Sequence, residues 1–530
     1  MPEDRSFMVP HHPTVSPAAT ADREQAAQVF QRAAALHRSG RLDEAIAGYR
    51  RAVRLWPAYA GALCNLGIAL KQAARVNDAI AAYRRAIEIA PDYADAYFNL
   101  GIVLGAVRRH GDAAAAYRRV TEIRPNFAPA HVSLGNALKY AGRLEEALDA
   151  FRAALELKND HVDALVNIGT VLNELGRHAE AEEACRKVLA VQAGSLPALC
   201  QQAAALTAMG RYDDAAAAAR RALAIKADDI EALGALGAAL KALGRGEEVV
   251  QAYRAALRAS PGLGLAHCHL AEFFLEREDP AAALGECDAC LAANPGHIRA
   301  LSIKGVALAE TGARDEARAL TDCSRLMLTK VWREAPGFPS IAAFNRALAE
   351  HILSHPSLVY EPKLRATRLG RHSGELLVEP KGPIGALERM ICAAVADYDA
   401  TVPPDPEHPF LARPPKRWTL TIWAVVLEKQ GFQVPHIHPS GWLSGVYYVS
   451  LPSVLDDPGA EQAGWIEFGR PLPRYPVKAP PELTTIRPEP GMMLVFPSYF
   501  FHRTLPFQSE ETRISIAFDV MPFEPDRAGR

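Results

Sequence analysis

Small and apolar positions return every 34 residues along the first 330 residues of the chain. One ladder runs Ala33, Gly67, Gly101, Gly135, Gly169, Ala203, Gly237, Ala271, Gly305. A second runs Ala45, Ala79, Ala113, Ala147, Ala181, Ala215, Val249, Ala283, Ala317. A third begins Pro57, Pro91, Pro125 and returns at Pro261 and Pro295. Nine such repeats fill residues 26–331 without an insertion. The small residues of the first two ladders let two antiparallel helices approach closely. The proline marks where one repeat stops, because proline cannot continue a helix. Short turn segments such as "SGR" and "AGR" separate the two helices of a repeat. A fixed period of this length predicts stacked helix pairs with a continuous core. Repeats four, five and six lack the proline, which loosens those boundaries only.

The pattern changes near residue 331. Helical periodicity continues through "SIAAFNRALAEHIL" and "PIGALERMICAAVADYDA". Short β-patterned runs then take over: "WTLTIWAVVLE", "LSGVYYVSL", "GWIEFG", "MMLVFP" and "RISIAFDV". Five of the six tryptophans lie here, and Pro- and Gly-rich turns separate the runs. Short antiparallel strands with long connections predict a jelly roll or barrel, with the two helices packed outside.

At 530 residues the chain needs more than one core. Its net charge is -2, with 39 Lys+Arg against 39 Asp+Glu up to residue 330 and 20 against 22 after it. Neither part has the basic excess that neutralises phosphates, so no nucleic-acid partner is expected. No 18-residue apolar run and no signal pattern occurs, so no membrane span is expected. Residues 1–25 are polar and Pro-rich and are expected to form a disordered tail, which includes His11 and His12. Eight scattered cysteines suit a reduced, cytoplasmic protein. Cys287 and Cys290 form a CxxC inside a helical pattern, without a second pair; buried packing is the expectation there, ahead of redox or zinc chemistry.

The repeats resemble the tetratricopeptide repeat family, as "ALCNLGIALKQAARVNDAIAAYRRAIEIAP" illustrates. That resemblance implies an all-α superhelix with a concave face lined by the first helix of each repeat. Two residues before the first ladder stand Asn65, Asn99, Ser133, Asn167 and Gln201. A column of amides can hydrogen-bond an extended peptide backbone, so a protein or peptide partner in this groove is expected. Solvated polar positions are the alternative.

Candidate chemistry concentrates in "QVPHIHPSGWLSGVYYVSLP". Alternate residues of a strand share a face, so His436 and His438 project together. His502 follows 64 residues later, and Arg513 and Ser515 share a face in "RISIAFD". Two imidazoles from one strand and a third from another can make a facial metal triad with open positions. An arginine can clamp a carboxylate bidentately. With "LSGVYYV", "FPS" before His502 and the final "RIS", residues 340–522 resemble the iron(II)- and 2-oxoglutarate-dependent oxygenases, in particular a bacterial and phage group. The resemblance implies Fe(II) at His436, His438 and His502, and 2-oxoglutarate held by Arg513 and Ser515. It also implies a double-stranded β-helix (jelly roll) over residues 332–530, flanked by helices.

His438 departs from the usual His-x-Asp/Glu pattern, leaving the triad one negative charge short. Three-His iron sites occur in thiol dioxygenases, which do not use 2-oxoglutarate. Glu467 in "GWIEFG" is the candidate for a carboxylate from elsewhere. Cupins often contain H-x-H but follow it with a Glu, and "PSGWLSG" has none. Trp423, Tyr447 and Tyr448 are pocket or core candidates; His372 and His408 are read as surface or packing residues. Two other oxygenase types, the aspartyl β-hydroxylases and prolyl 3-hydroxylases, also place tetratricopeptide repeats before the catalytic domain and act on polypeptides. The expected function is therefore a dioxygenase that hydroxylates a protein or peptide recruited by the repeats. The alternatives are a non-catalytic interaction protein with an inactive oxygenase-like domain, or a cupin-like metalloenzyme that does not use 2-oxoglutarate.

Overall fold

The computed structural model describes residues 17–107, 109–360, 366–377, 381–457 and 459–522. The first helices of successive repeats begin at Ala60, Ala94, Ala128, Val162, Leu196, Ile230, Gly264 and Ile298, a constant step of 34. The chain divides into two compact units, Met1–Val171 and Leu172–Arg530.

In the first unit the small-residue ladder makes room for aromatic rings. A Cβ at Gly67 would lie 2.6 Å from Tyr83, and one at Gly135 would lie 2.6 Å from Phe151. Tyr83 and Phe151 are fully buried, so each glycine is needed for its helix pair to close. The helix Pro17–Arg38 replaces the last part of the tail expected over residues 1–25. Proline is favoured at a first helical position, and no breaker follows Pro17. Ala26 and Ala33 of this helix are buried. His11 and His12 lie outside the described residues.

In the second unit the ninth repeat is cut short. Its second helix is Arg314–Thr321, against 14 residues in the repeat before it. Asp322 turns extended, and its carboxylate accepts the N–H groups of Ser324 (2.8 Å) and Arg325 (3.3 Å), which starts a new turn. Strand β1 (Leu328–Val331) follows and joins the C-terminal sheet. The boundary expected after residue 331 therefore falls at the end of a strand and parts β1 from the sheet it joins.

The remaining strands are β2 (Val359–Tyr360), β3 (Thr367–His372), β4 (Trp418–Gln433), β5 (Leu443–Ser450), β6 (Ile466–Phe468), β7 (Thr484–Ile486), β8 (Met492–Pro497), β9 (His502–Thr504) and β10 (Ser509–Pro522). They form a seven-stranded sheet, β1-β8-β5-β10-β4-β3-β2, and a three-stranded sheet, β7-β6-β9. Every strand pairing is antiparallel. Helices Ile341–Leu353 and Ile384–Thr401 contact the larger sheet at β5, β1 and β8. Ser340 caps the first of them by accepting the N–H of Ala343 at 3.1 Å. Helical repeats followed by antiparallel sheets with flanking helices agree with the fold class expected from the sequence.

One hydrophobic core runs from Cys268 in the eighth repeat to Val520 in β10. Tyr499 donates its hydroxyl to the carbonyl of Leu320 at 2.6 Å. The Glu310 carboxylate accepts the backbone N–H groups of Lys478 and Ala479 at 2.9–3.0 Å. Among the described residues no helix is long and apolar enough to cross a membrane.

Candidate metal centre

β4 stops at Gln433 and does not run through the two histidines. Pro435 and Pro439 carry no N–H, so a strand ladder cannot continue there. His436 instead forms an isolated antiparallel bridge with His502, each N–H donating to the other's carbonyl at 3.1 Å. The His438 N–H donates to the Ser498 carbonyl at 3.0 Å. The expected strand is thus a crossing segment pinned to the β8–β9 connection. Both imidazoles still turn toward His502, while Ile437 between them packs on the core.

The three rings lie with centroids 4.3, 5.1 and 5.2 Å apart, and one ligand nitrogen from each falls within 4.8 Å of the others. Their outer nitrogens are all engaged. His436 Nδ1–H donates to the Val434 carbonyl at 2.8 Å, and His502 Nδ1–H to the Phe500 carbonyl at 3.0 Å. A carbonyl only accepts, so Nδ1 carries the proton and Nε2 keeps its lone pair. His438 Nδ1–H donates to Asp519 Oδ1 at 2.6 Å, which fixes the same tautomer. Burial, with the neighbouring imidazole adding to it, pushes His436 down to about 3 and His502 well below its ordinary value. Both are held neutral, the form that ligates a metal.

Asp519 is absent from the sequence-based set. It lies one alternation beyond Ala517 in "RISIAFD", on the face that carries Arg513 and Ser515. Its carboxylate also accepts the Ser444 hydroxyl at 2.7 Å, and Ser444 Oγ sits 2.8 Å from Ser498 Oγ. The negative charge that His438 lacks as a ligand is therefore supplied by the residue behind it. Glu467 does not supply it. Phe468 pairs opposite His502, so Glu467 points to the other face of β6, where Arg470 and Arg503 hold it. Those arginines offset the burial that would otherwise raise its pKa and keep it below the usual carboxylate range.

Trp423 stacks on His438 at 5.5 Å and on His372 at 6.1 Å, so it forms a wall of the centre. His372 and His408 are buried. Tyr447 faces the other way and donates to Asn345 Oδ1 at 2.7 Å in the flanking helix. Tyr448 lies under Arg513, whose guanidinium carbon sits 5.2 Å over its ring. Arg513 is 1% exposed. It donates to the Gly464 carbonyl and to Ser515 Oγ, both at 3.2 Å. Among the described residues no carboxylate pairs with it. Desolvation lowers its pKa, and the cost of a lone buried charge calls for an anion on this face.

The family model described as "Putative 2OG-Fe(II) oxygenase" matches residues 421–519. Tetratricopeptide models match 33–73, 75–107, 94–127 and 132–195. The chain thus joins tetratricopeptide repeats to a domain that the "Putative 2OG-Fe(II) oxygenase" model matches. No curated protein matches it. Among solved structures, a MamA protein is 23% identical with a TM-score of 0.30 over 31% of this chain and 91% of its own. YrrB, titled a TPR protein with an unusual peptide-binding site, is 21% identical with a TM-score of 0.33 over 35% and 96%. MamA 41-end from Desulfovibrio magneticus RS-1 is 20% identical with a TM-score of 0.30 over 34% and 98%.

In the tetratricopeptide repeats Asn65, Asn99, Ser133, Asn167 and Gln201 are half-buried, each on the first helix of its repeat. Asn99 and Asn167 each donate one amide hydrogen to a carbonyl four residues back, at 2.8 and 2.9 Å. Asn167 Oδ1 accepts from Lys139 at 2.8 Å, and Gln201 accepts from Asn173 through its carbonyl and Oε1. The column is thus partly engaged in local bonds.

A first prediction follows from the carboxylate behind His438. Asp519→Asn keeps the shape and removes the charge. Metal affinity should fall about 10–100-fold, the usual loss when a ligand loses its orienting partner. Anaerobic titration calorimetry checks this, and an unchanged affinity would show that the pair only packs.

Proposed function

We propose that the C-terminal domain is an iron(II)- and 2-oxoglutarate-dependent dioxygenase. It acts in the cytoplasm on a side chain of a protein or peptide recruited by the repeats. The observation that carries this reading is Arg513, a fully buried cation without a carboxylate partner among the described residues. It stands on the strand face that presents Asp519 to His438.

When bound, Fe(II) with 2-oxoglutarate couples oxidative decarboxylation to succinate with oxidation of a substrate C–H bond. His436, His438 and His502 would hold the metal through Nε2. Arg513 would receive the distal carboxylate, with Ser515 and the ring of Tyr448 fixing its fork. Trp423 would keep water from one side of His438. The repeats would raise the local substrate concentration through covalent linkage, with Asn65, Asn99, Ser133, Asn167 and Gln201 as candidate backbone contacts. Free cysteines and the lack of a long apolar helix among the described residues support the cytoplasmic assignment.

Anaerobic Fe(II) loading followed by oxygen should give succinate from 2-oxoglutarate. No succinate above the metal-free background would sink the reading, and oxygen uptake without 2-oxoglutarate would favour a cupin-like enzyme. A charged fork on a buried carboxylate contributes about 1.5–3 kcal/mol. Arg513→Ala should therefore raise the 2-oxoglutarate requirement roughly ten- to a hundredfold and leave Fe(II) binding intact. An unchanged requirement removes Arg513 from the site.

A further inference from the structure

The 34-residue register supplies an internal control for one departure in the eighth repeat. Positions equivalent to Cys268, Cys290 and His297 are Cys64, Ala86 and Tyr93 in the second repeat, and Cys200, Ala222 and Asp229 in the sixth. A buried cysteine facing the residue that opens the next repeat is thus ordinary packing; Cys200 Sγ sits 3.7 Å from Asp229 Oδ1. Only the eighth repeat adds a second thiol and an imidazole to this arrangement. A fourth position changes with them. Where Ala60, Ala94, Ala128, Val162, Leu196, Ile230 and Ile298 stand elsewhere, the eighth repeat has Gly264. A Cβ there would lie 2.8 Å from His297 Nε2 and 3.3 Å from Cys290 Sγ, so the glycine clears the space these two occupy.

Cys268, Cys290 and His297 bring one ligand atom each within 4.8 Å of the others. Cys268 Sγ is 3.6 Å from His297 Nδ1. Zinc bonds of about 2.3 Å to sulfur and 2.0–2.1 Å to nitrogen place those atoms about 3.5 Å apart in a tetrahedron. That edge already has the right length. Cys268 and Cys290 are both 1% exposed. His297 Nδ1 accepts the Ala300 N–H at 3.3 Å, a long bond whose loss costs little.

We propose that Cys268, Cys290 and His297 bind one thiophilic divalent cation, zinc(II), with water as the fourth ligand. The ligands come from helices Gly264–Glu276 and Pro280–Ala293 and from the residue capping Ile298–Glu310. The ion would staple the eighth repeat to the ninth, whose Leu320 accepts the Tyr499 hydroxyl from the sheet domain. Cys287, the other cysteine of the CxxC, lies outside this group and packs in the core.

Cobalt(II) is the probe, on the reduced full-length chain. Only cysteine ligands give thiolate-to-cobalt charge-transfer absorption, so the three-histidine centre is silent in this band. The parent should show the band, and His502→Ala, which lacks the competing three-histidine centre, should keep it and saturate at one equivalent. Cys290→Ala installs the residue found at Ala86, Ala154, Ala222 and Ala256 and should fold; it and Cys268→Ser should each abolish the band. Zinc should raise the Tm of His502→Ala and leave that of a Cys290→Ala, His502→Ala double variant unchanged. No band in the reduced parent, or a band that survives Cys290→Ala, overturns the proposal. So does a Cys268–Cys290 disulfide found by thiol alkylation of the unreduced protein.

Discussion

His502→Ala should abolish stoichiometric Fe(II) binding and, with it, 2-oxoglutarate turnover. His502 would be the ligand that closes the triad, since it comes from β9 while His436 and His438 share one segment. Without it only two neutral imidazoles remain, too few to hold a hard divalent ion against water. The loss should exceed the roughly 10–100-fold expected when a ligand merely loses its orienting partner. The ring also packs 4.9 Å from Phe496 and 6.0 Å from Phe468, so its removal leaves a cavity. A thermal melt therefore has to accompany the metal titration. Equilibrium dialysis under argon gives the metal content, and one Fe(II) bound at parental affinity by a folded His502→Ala chain would falsify the triad.

The histidines are legible in the sequence because their chemistry and two-residue spacing are local. The route by which they meet is not. Pro435 and Pro439 end the ladder, and the pairing of His436 with His502 depends on a crossing segment that no periodicity announces. Asp519 was reachable, since it shares the alternation of Arg513 and Ser515. Which strand face meets His438 is settled only by the antiparallel register of β10 with β5, Asp519 opposite Ser444. Glu467 misleads for the same reason: in a three-residue strand the inward face is chosen by the partner, here Phe468 opposite His502. β1, β7 and β9 have three or four residues each, too few to carry a pattern. The repeats are the opposite case, because nine copies of one local packing problem leave the same small residues at the same step.

A chain shortened to residues 332–530, the boundary suggested by the period, should not fold. It lacks β1, which pairs Leu328–Val331 with β8, and leaves that β8 edge unpaired. It also lacks Leu320 and Leu326, buried at 5% and 0% exposure in the core shared with the sheets. Burying two such side chains contributes roughly 1.5–3 kcal/mol each. Tyr499, itself buried, loses the carbonyl acceptor of its hydroxyl, at about 1–3 kcal/mol. Against a typical total stability of about 5–15 kcal/mol these losses are decisive. A chain beginning at Val162 keeps the helix Val162–Glu174 whole and contains the entire second compact unit. It should melt cooperatively, bind metal and decarboxylate 2-oxoglutarate without coupling. Lacking Asn65, Asn99 and Ser133, it should turn over the substrate delivered by the repeats far more slowly. Circular-dichroism melts of the two chains decide the first point. A cooperative transition with metal binding in residues 332–530 would mean that the eighth and ninth repeats lean on the oxygenase domain without holding it up.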